Sequence, residues 1–318
     1  MDNPDRASLR RRRRTRAGEP AAALALGSAA LALGGAASLG AGLIPSRAPL
    51  RRRRGAAKPE PEVRGLYAAA GLLALSVLLD SAVEHYRGEF KNPGMLTPLV
   101  VSAVTLGAAG QDATAARAAS RGRMAVYATA AVVGLGGVAF HAFNLLKRPG
   151  KLNWHNLFYA APVGAPAALS LAGLLGLAGG AAQRGWQGAG RKLCALTAAG
   201  LAGTVAEAGL LHFRGAFQNP FMWVPVTLPP VGAALLAQAA ADGSPRPRRL
   251  ARLWLKLTAA IGLAGAGFHV FGVSRAMGGW KNWRQNLVDG PPIPAPPAFT
   301  ALAIAGLSAL ALIDAQAT

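Results

Sequence analysis

Eight long apolar blocks, separated by short basic or Pro/Gly-rich connectors, dominate the sequence after residue 62. A helical block of about 20 apolar residues matches the hydrocarbon thickness of a bilayer. Only helices and closed barrels satisfy their backbone polar groups in lipid, and these Ala-, Leu- and Gly-rich blocks show no period-2 alternation. The sequence therefore predicts an all-α integral membrane protein with spans at 66–85, 95–115, 124–146, 157–181, 193–213, 221–241, 251–273 and 295–314.

Residues 1–62 differ from the rest of the chain. They contain two arginine runs, Arg10 to Arg14 and Arg51 to Arg54, on either side of an Ala/Gly-rich block at 21–45. Four interpretations of this block stay open: a ninth transmembrane helix, a signal sequence, a poorly formed hairpin, or a wrongly assigned start of translation. The flanking segments are typical of solvated, disordered chain, so we place no function in residues 1–62.

The net charge of +21 would favour nucleic-acid binding in a soluble protein. Here the basic residues lie in the membrane connectors and the N-terminal segment, where they set topology and attract anionic lipid headgroups. We therefore expect the lipid bilayer as a partner and no nucleic acid. The single cysteine, Cys194, excludes an internal disulfide and a cysteine metal cluster, and its apolar surroundings favour a packing role.

One stretch of the sequence occurs twice in closely similar form. EHYRGEFKNPGMLTP runs from Glu84 to Pro98, and LHFRGAFQNPFMWVP runs from Leu211 to Pro225, 127 residues later. The two stretches share His, Arg, Gly, Phe, Asn, Pro, Met and the final Pro at matching positions. Self-similarity at a fixed period indicates an internal duplication.

A second pair of stretches extends this match. AFHAFNLLKRPGKLNWHNLFYAAPVGAP begins at Ala139, and GFHVFGVSRAMGGWKNWRQNLVDGPPIPAP begins at Gly267. The chain therefore divides into residues 63–190, called unit 1, and residues 191–318, called unit 2. Each unit holds four predicted spans, an even number, so the two have the same orientation. This arrangement predicts two tandem parallel four-helix transmembrane repeats related by an axis along the membrane normal.

Four repeated histidines are predicted to gather at one membrane surface, which we call the histidine face. His85 and His141 lie near the ends of the first and third spans of unit 1, and His212 and His269 occupy the same places in unit 2. The connectors at the opposite surface, at 111–123, 182–192 and 242–250, show no comparable matching. A surface kept alike in both units indicates where the function lies.

The repeated turn has a partial explanation in backbone geometry. Gly88 is expected to cap the first span in the left-handed conformation, and Asn92-Pro93 marks a turn before the second span. Such a turn needs neither the imidazole of His85 nor the guanidinium of Arg87. The same holds for the partners of these two residues in unit 2.

Two carboxylates occupy equivalent positions inside apolar spans, Asp80 in unit 1 and Glu207 in unit 2. A carboxylate at such a depth is costly and usually faces a bundle interior or a water-filled cavity. We expect each to face the interior and to be either protonated or paired with Arg87 or Arg214.

Neutral imidazole is a common metal ligand, and two histidines on different helices can ligate haem axially. The four histidines suffice for up to two b-type haems or another metal, with pairing either within units or across them. Arg87 and Arg214 are candidates for binding an anionic group, such as a haem propionate. The alternative is that these histidines and arginines merely sit at the wet interface, as we expect for His155, which has no counterpart in unit 2.

Three functions remain open at this stage. The leading hypothesis is a membrane anchor or electron-transfer subunit that binds haem b, or another metal, through the histidines and works with a soluble dehydrogenase or cytochrome. The second is a small-solute or ion permease that uses Asp80 and Glu207, and the third is a structural membrane subunit. No catalytic motif is present, so we expect no enzyme activity from the chain alone. The basic segment 46–64 favours a multi-pass protein of the inner membrane with a periplasmic histidine face.

Overall fold

The computed structural model describes residues 60–115, 118–160, 162–242 and 245–317. The block at 21–45, and nearly all of the segment 1–62, lie outside the described residues. The described residues form ten α-helices: α1 Pro61–Arg87, α2 Thr97–Thr114, α3 Arg121–Leu146, α4 Trp154–Tyr159, α5 Gly164–Gln183, α6 Ala189–Arg214, α7 Val224–Ala241, α8 Pro245–Arg275, α9 Trp283–Val288 and α10 Pro297–Ala317. Short 3-10 turns at Pro93–Leu96 and Pro220–Trp223 precede α2 and α7, and a third, Gly279–Asn282, precedes α9.

Eight of these helices are long and apolar enough to cross a membrane, which confirms the predicted all-α membrane protein with eight spans. The main differences lie at two boundaries. The fourth span begins at Gly164 rather than 157, because Trp154–Tyr159 forms a separate short helix that ends before Pro162. The seventh begins near Pro245 rather than 251, because arginines in its first turns pair with Asp314 on α10.

The helices form an inner and an outer layer. The first and last long helices of each unit, α1 with α5 and α6 with α10, pack together in the middle, with α1 against α10 and α5 against α6 joining the units. The second and third long helices of each unit, α2 with α3 and α7 with α8, lie outside and leave most of their surface uncovered by protein. This outer surface is where lipid contacts the protein, because it carries exposed valines and leucines.

Close helix contacts recur at matching places in the two units. Gly134 on α3 lies against the backbone of Ser170 on α5, whose hydroxyl donates to the carbonyl of Ala131 at 3.0 Å. Gly262 on α8 lies in the same way against Thr300 on α10, whose hydroxyl donates to a carbonyl of α8 at 2.7 Å. Small residues that let backbones approach, with a hydroxyl bonded across the contact, are typical of helix packing in membranes.

Candidate functional site

The repeated turn is held together by its own histidine. Nδ1 of His85, at the end of α1, lies 2.6 Å from the carbonyl oxygen of Met95 in the turn before α2. In unit 2, Nδ1 of His212 lies 2.8 Å from the carbonyl oxygen of Met222. The histidine therefore ties the end of the first span to the beginning of the second in both units.

Phenylalanine completes this contact in each unit. The ring of Phe90 meets the ring of His85 edge to face, with centroids 6.3 Å apart, and the ring of Phe217 meets that of His212 at 6.1 Å. The repeated phenylalanine thus restricts the orientation of the histidine ring. The histidine and the phenylalanine of the repeated stretch therefore act together, which explains why they recur together.

The expected left-handed cap at Gly88 is wrong. Gly88 has φ −80°, and the left-handed residues are the next two, Glu89 and Phe90. The amide of Phe90 donates to the carbonyl of His85, which closes the helix in a Schellman arrangement centred one residue later than expected. A Cβ at position 88 would lie 2.9 Å from the terminal methyl group of Met95, so a larger residue there would displace the end of that side chain. Gly215 of unit 2 has φ −81° and the corresponding methionine contact.

The second histidine of each unit holds the segment that enters the last span. Nδ1 of His141 on α3 bonds to the carbonyl oxygen of Pro162, just before α5. Nδ1 of His269 on α8 lies 2.7 Å from the carbonyl oxygen of Pro292, before α10. All four repeated histidines therefore use the same ring nitrogen, and each bonds to a backbone carbonyl at a matching position.

These hydrogen bonds select a tautomer. A carbonyl oxygen only accepts, so Nδ1 must carry the proton, and Nε2 of the neutral ring then holds the lone pair. Ligating histidines are usually oriented in this way, by a bond from the other ring nitrogen to a carbonyl or carboxylate. His85 also lies within electrostatic reach of His141, and His212 of His269. Both of these proximities lie within a unit, which is one of the two pairings left open by the sequence.

The repeated asparagines have structural roles. Asn156 is buried, and its side-chain amide donates to the carbonyls of Pro149 and Lys151. Asn286 donates to the carbonyls of Met277 and Gly279 at the same place in unit 2. These bonds fold the long connectors that carry α4 and α9. In the turn before the second span of each unit, Asn92 accepts from the backbone amide of Gly94, and the matching Asn219 accepts from that of Phe221.

The repeated arginines bond to backbone carbonyls rather than to the intramembrane carboxylates. A guanidinium nitrogen of Arg87 donates to the carbonyl of Val288, and another lies 3.2 Å from Glu84. Arg214 donates to the carbonyl of Phe158 at 3.1 Å. Among the described residues neither arginine forms an ion pair with Asp80 or Glu207, so of the two expected alternatives, arginine pairing and protonation, the first is not observed.

The two intramembrane carboxylates lie at the boundary between the units. Glu207 on α6 accepts a hydrogen bond from the backbone amide of Gly164, in the first turn of α5 of the other unit. A Cβ at Gly164 would overlap this carboxylate, so glycine is needed there. Asp80 on α1 lies within electrostatic reach of Glu207. One turn before Asp80, Ser76 donates to the carbonyl of Pro294 in unit 2 at 2.5 Å.

A charged network on the opposite face of unit 1 escaped the sequence analysis. Asp112 is fully buried and accepts from Arg123 at 2.5 Å and from the hydroxyl of Tyr127 at 2.8 Å. The ring of Tyr127 stacks on that of Tyr67, whose hydroxyl donates to Gln183 at 2.9 Å. Asp112 is near a helix end in the sequence, where it reads as a connector residue, so no pattern signalled its burial.

Two further contacts of the opposite face were also missed. In unit 2, Asp314 on α10 accepts from Arg248 and Arg252 on α8. In both units, an arginine in the first turns of the first span caps the second span: Arg64 donates to the carbonyl of Ala113 at 2.9 Å, and Arg191 donates to that of Ala240 at 2.8 Å. The two arginines are 127 residues apart, the same spacing as the repeated stretches, and this spacing was the signal in the sequence that could have identified them as a matching pair.

Each unit brings two imidazoles to the histidine face. Among the described residues no group of three or more His, Cys, Asp or Glu side chains is placed to hold a metal ion. A haem iron takes its four equatorial ligands from the macrocycle, so two axial imidazoles suffice.

The fold and the eight spans define a polytopic α-helical membrane protein with a histidine pair in each half. Comparison of the chain with models of protein families, with characterised proteins and with solved structures finds no match.

Proposed function

We propose that the protein is a membrane anchor and electron-transfer subunit that binds haem b at two sites, His85 with His141 and His212 with His269. When bound, haem would supply one-electron redox chemistry. The chain would hold each haem between a histidine from the first span and a histidine from the third span of one unit. Haem sites of this kind form between facing helices of four-helix bundles.

The observation that supports this proposal most directly is the uniform use of Nδ1. Each histidine donates from Nδ1 to a backbone carbonyl, which leaves Nε2 unprotonated at all four sites. Interface histidines that merely face water would have no reason to share one tautomer and matching acceptors. Phe90 and Phe217 further restrict the rings of His85 and His212. Nearby, Phe140, Phe143, Phe268 and Phe271 are exposed and would flank a macrocycle.

Arg87 and Arg214 are proposed to help place the sites rather than to bind haem propionates, because the guanidinium of each already bonds to a carbonyl of a connector. Electron transfer needs a partner to supply or accept electrons. We propose a soluble dehydrogenase or cytochrome that docks on the histidine face, and an inner-membrane location with that face in the periplasm.

The test is a set of single substitutions in protein purified from haem-replete cells. His85→Ala, His141→Ala, His212→Ala and His269→Ala should each convert one low-spin, bis-imidazole signal to high spin or remove it. His155→Ala is the matched control, because this exposed histidine lies on the same face, with its ring 5.0 Å from that of Tyr159. A colourless wild-type protein, or equal spectra for all five variants, would contradict the proposal.

A second candidate function, proton or cation permeation, is favoured by the position of Asp80 and Glu207. These carboxylates come from equivalent positions, belong to different units and lie within electrostatic reach at the unit boundary. Ionisable groups inside the membrane commonly mark ion or proton pathways. Asp80→Asn and Glu207→Gln in proteoliposomes should abolish proton flux if this function holds. Unchanged flux in both folded variants would eliminate it.

A further inference from the structure

The contacts of Arg87 and Arg214 cross from one unit to the other, and they do so reciprocally. Arg87 ends the first helix of unit 1, and its guanidinium donates to the carbonyl of Val288 in unit 2. Arg214 ends the first helix of unit 2, and its guanidinium donates to the carbonyl of Phe158 in unit 1. Val288 ends α9 and Phe158 lies in the last turn of α4, so the two acceptors occupy matching places in the two connectors.

Each of these connectors leads directly to a carbonyl that orients a histidine. Pro162, whose carbonyl accepts from His141, is the fourth residue after Phe158. Pro292, whose carbonyl accepts from His269, is likewise the fourth residue after Val288. The arginine of one unit therefore anchors the segment that orients a histidine of the other unit.

Other contacts also hold the connectors. Asn156 and Asn286 fix the early parts of the connectors through bonds within their own units. Side chains near the arginines strengthen the crossing contacts. The ring of Trp154 lies 5.7 Å from that of Phe213, and the guanidinium of Arg284 lies 5.4 Å from the ring of Tyr86. Phe213 and Tyr86 are the residues that precede Arg214 and Arg87 in sequence. In both units, therefore, the last two residues of the first helix contact the connector of the other unit.

We infer that Arg87 and Arg214 are positioning residues that act across the unit boundary: Arg87 sets the orientation of His269, and Arg214 sets that of His141. The two histidine pairs are thereby coupled, because each arginine lies two residues after a histidine of its own unit. A displacement of His85 moves the anchor of His269, and a displacement of His212 moves the anchor of His141. The inference deepens the proposed function and rests on it for its relevance to electron transfer, but the positioning itself does not require a cofactor.

The experiment measures the reactivity of each histidine in full-length protein stripped of any cofactor. Diethyl pyrocarbonate modifies accessible imidazole nitrogens, and peptide mass spectrometry resolves the rate at each histidine. Arg87→Gln should raise the rate at His269 by roughly tenfold, as expected for loss of a charge-assisted anchor, and leave His141 unchanged. Arg214→Gln should raise the rate at His141 and leave His269 unchanged.

Two further variants control this result. Arg148→Gln removes an exposed arginine of the same face and should change no rate. Arg87→Lys replaces the guanidinium by an ammonium group, which keeps the positive charge and can still donate a hydrogen bond. This variant should therefore give a smaller effect than Arg87→Gln. This lysine variant also serves as the test if the glutamine variant does not fold, with a monodisperse elution in detergent as the criterion of folding.

The pattern of rates decides the inference. Effects confined to the histidine of the other unit support it. Effects confined to the same unit, equal effects at all four histidines, or no effect at any would overturn it. If the wild-type protein binds no haem, the proposed function fails while this pattern still decides the positioning role. If haem binds, Arg87→Gln should also shift the potential of the unit 2 site and leave that of unit 1.

Discussion

On the histidine face, the side-chain contacts of unit 1 recur in unit 2, whereas most of those on the opposite face do not. His85 and His212 hold matching methionine carbonyls, and Arg87 and Arg214 reach matching carbonyls across the unit boundary. On the opposite face, unit 1 buries an Asp–Arg–Tyr network around Asp112. At the positions of Tyr67, Asp112 and Tyr127, unit 2 has Cys194, Ala239 and Leu255.

The comparison shows on which face the two units keep matching side-chain contacts. Both faces must close the ends of four helices, and the opposite face shows that different side chains meet this need. Among the described residues, the arginine caps at Arg64 and Arg191 do recur there. The closer likeness of the histidine face supports the proposal of one site in each unit.

The largest expected effect is a difference in stability between the two units when a carboxylate on the opposite face is removed. Asp112→Ala should lower the free energy of unfolding by about 3–5 kcal/mol, because it leaves Arg123 and the hydroxyl of Tyr127 without their buried partner. Asp314→Ala should cost about 1 kcal/mol or less, because the side chain of Asp314 is 48% exposed and its pairs are near the surface. Unfolding in mixed micelles measures both. Equal losses would show that the two networks are equivalent after all.

A smaller effect should be equal in the two units, because it concerns the histidine face. Asn156→Ala and Asn286→Ala each remove a buried amide that donates to two carbonyls. Each variant should lose about 2–3 kcal/mol of unfolding free energy. The reactivity of His141 should rise in the first variant and that of His269 in the second. If one variant is neutral while the other unfolds, the two connectors share their geometry but do not contribute equally to stability.

The left-handed residues of the repeated turn give a third comparison. Glu89 and Ala216 have φ of 58° and 57° at matching positions. Replacement by glycine should stabilise each turn by about 0.5–1 kcal/mol, the balance of relieved strain and added chain entropy. Thermal unfolding in detergent measures the gain. Ala216→Gly is the cleaner variant, because Glu89 also pairs with Lys91. Loss of stability in both variants would mean that the turn is unstrained.

The smallest expected effect tests the one repeated contact of the opposite face. Arg64→Gln and Arg191→Gln each weaken a cap on the second span of their unit. Each should cost about 0.5–1.5 kcal/mol, with a slightly larger loss for Arg191, which donates to two carbonyls. Haem content should stay unchanged in both. A change in haem content would connect the opposite face to the site and break the contrast between the faces.

The sequence predicted the membrane fold well, because apolar length and the lack of alternation leave few alternatives. It also identified the four histidines, since they are polar residues that recur in an apolar background. It failed at the short helix Trp154–Tyr159, which has the same apolar character as the span that follows. Likewise, it assigned the left-handed conformation to Gly88, whereas the structure places it at Glu89 and Phe90.

The acceptors of the histidines and arginines were beyond sequence reasoning. All of them are backbone carbonyls, which every residue carries, so no residue type signals them. The partner of Arg87 lies 201 residues away in the sequence. Carboxylates are the usual partners of arginine in a membrane, which is why the sequence favours Asp80 and Glu207 as the partners of Arg87 and Arg214. In the structure these groups form separate contacts across the unit boundary: Glu207 accepts from the amide of Gly164, and Arg214 donates to the carbonyl of Phe158.

The haem content per chain tests the central claim, that each unit carries one site built from its own two histidines. Protein from haem-replete cells is measured by absorption of the extracted haem against protein determined by amino-acid analysis. We predict two haems per chain, and one when His85 and His141, or His212 and His269, are both replaced by alanine. Wild-type protein without haem, or a variant lacking all four histidines that still binds two, would contradict the account.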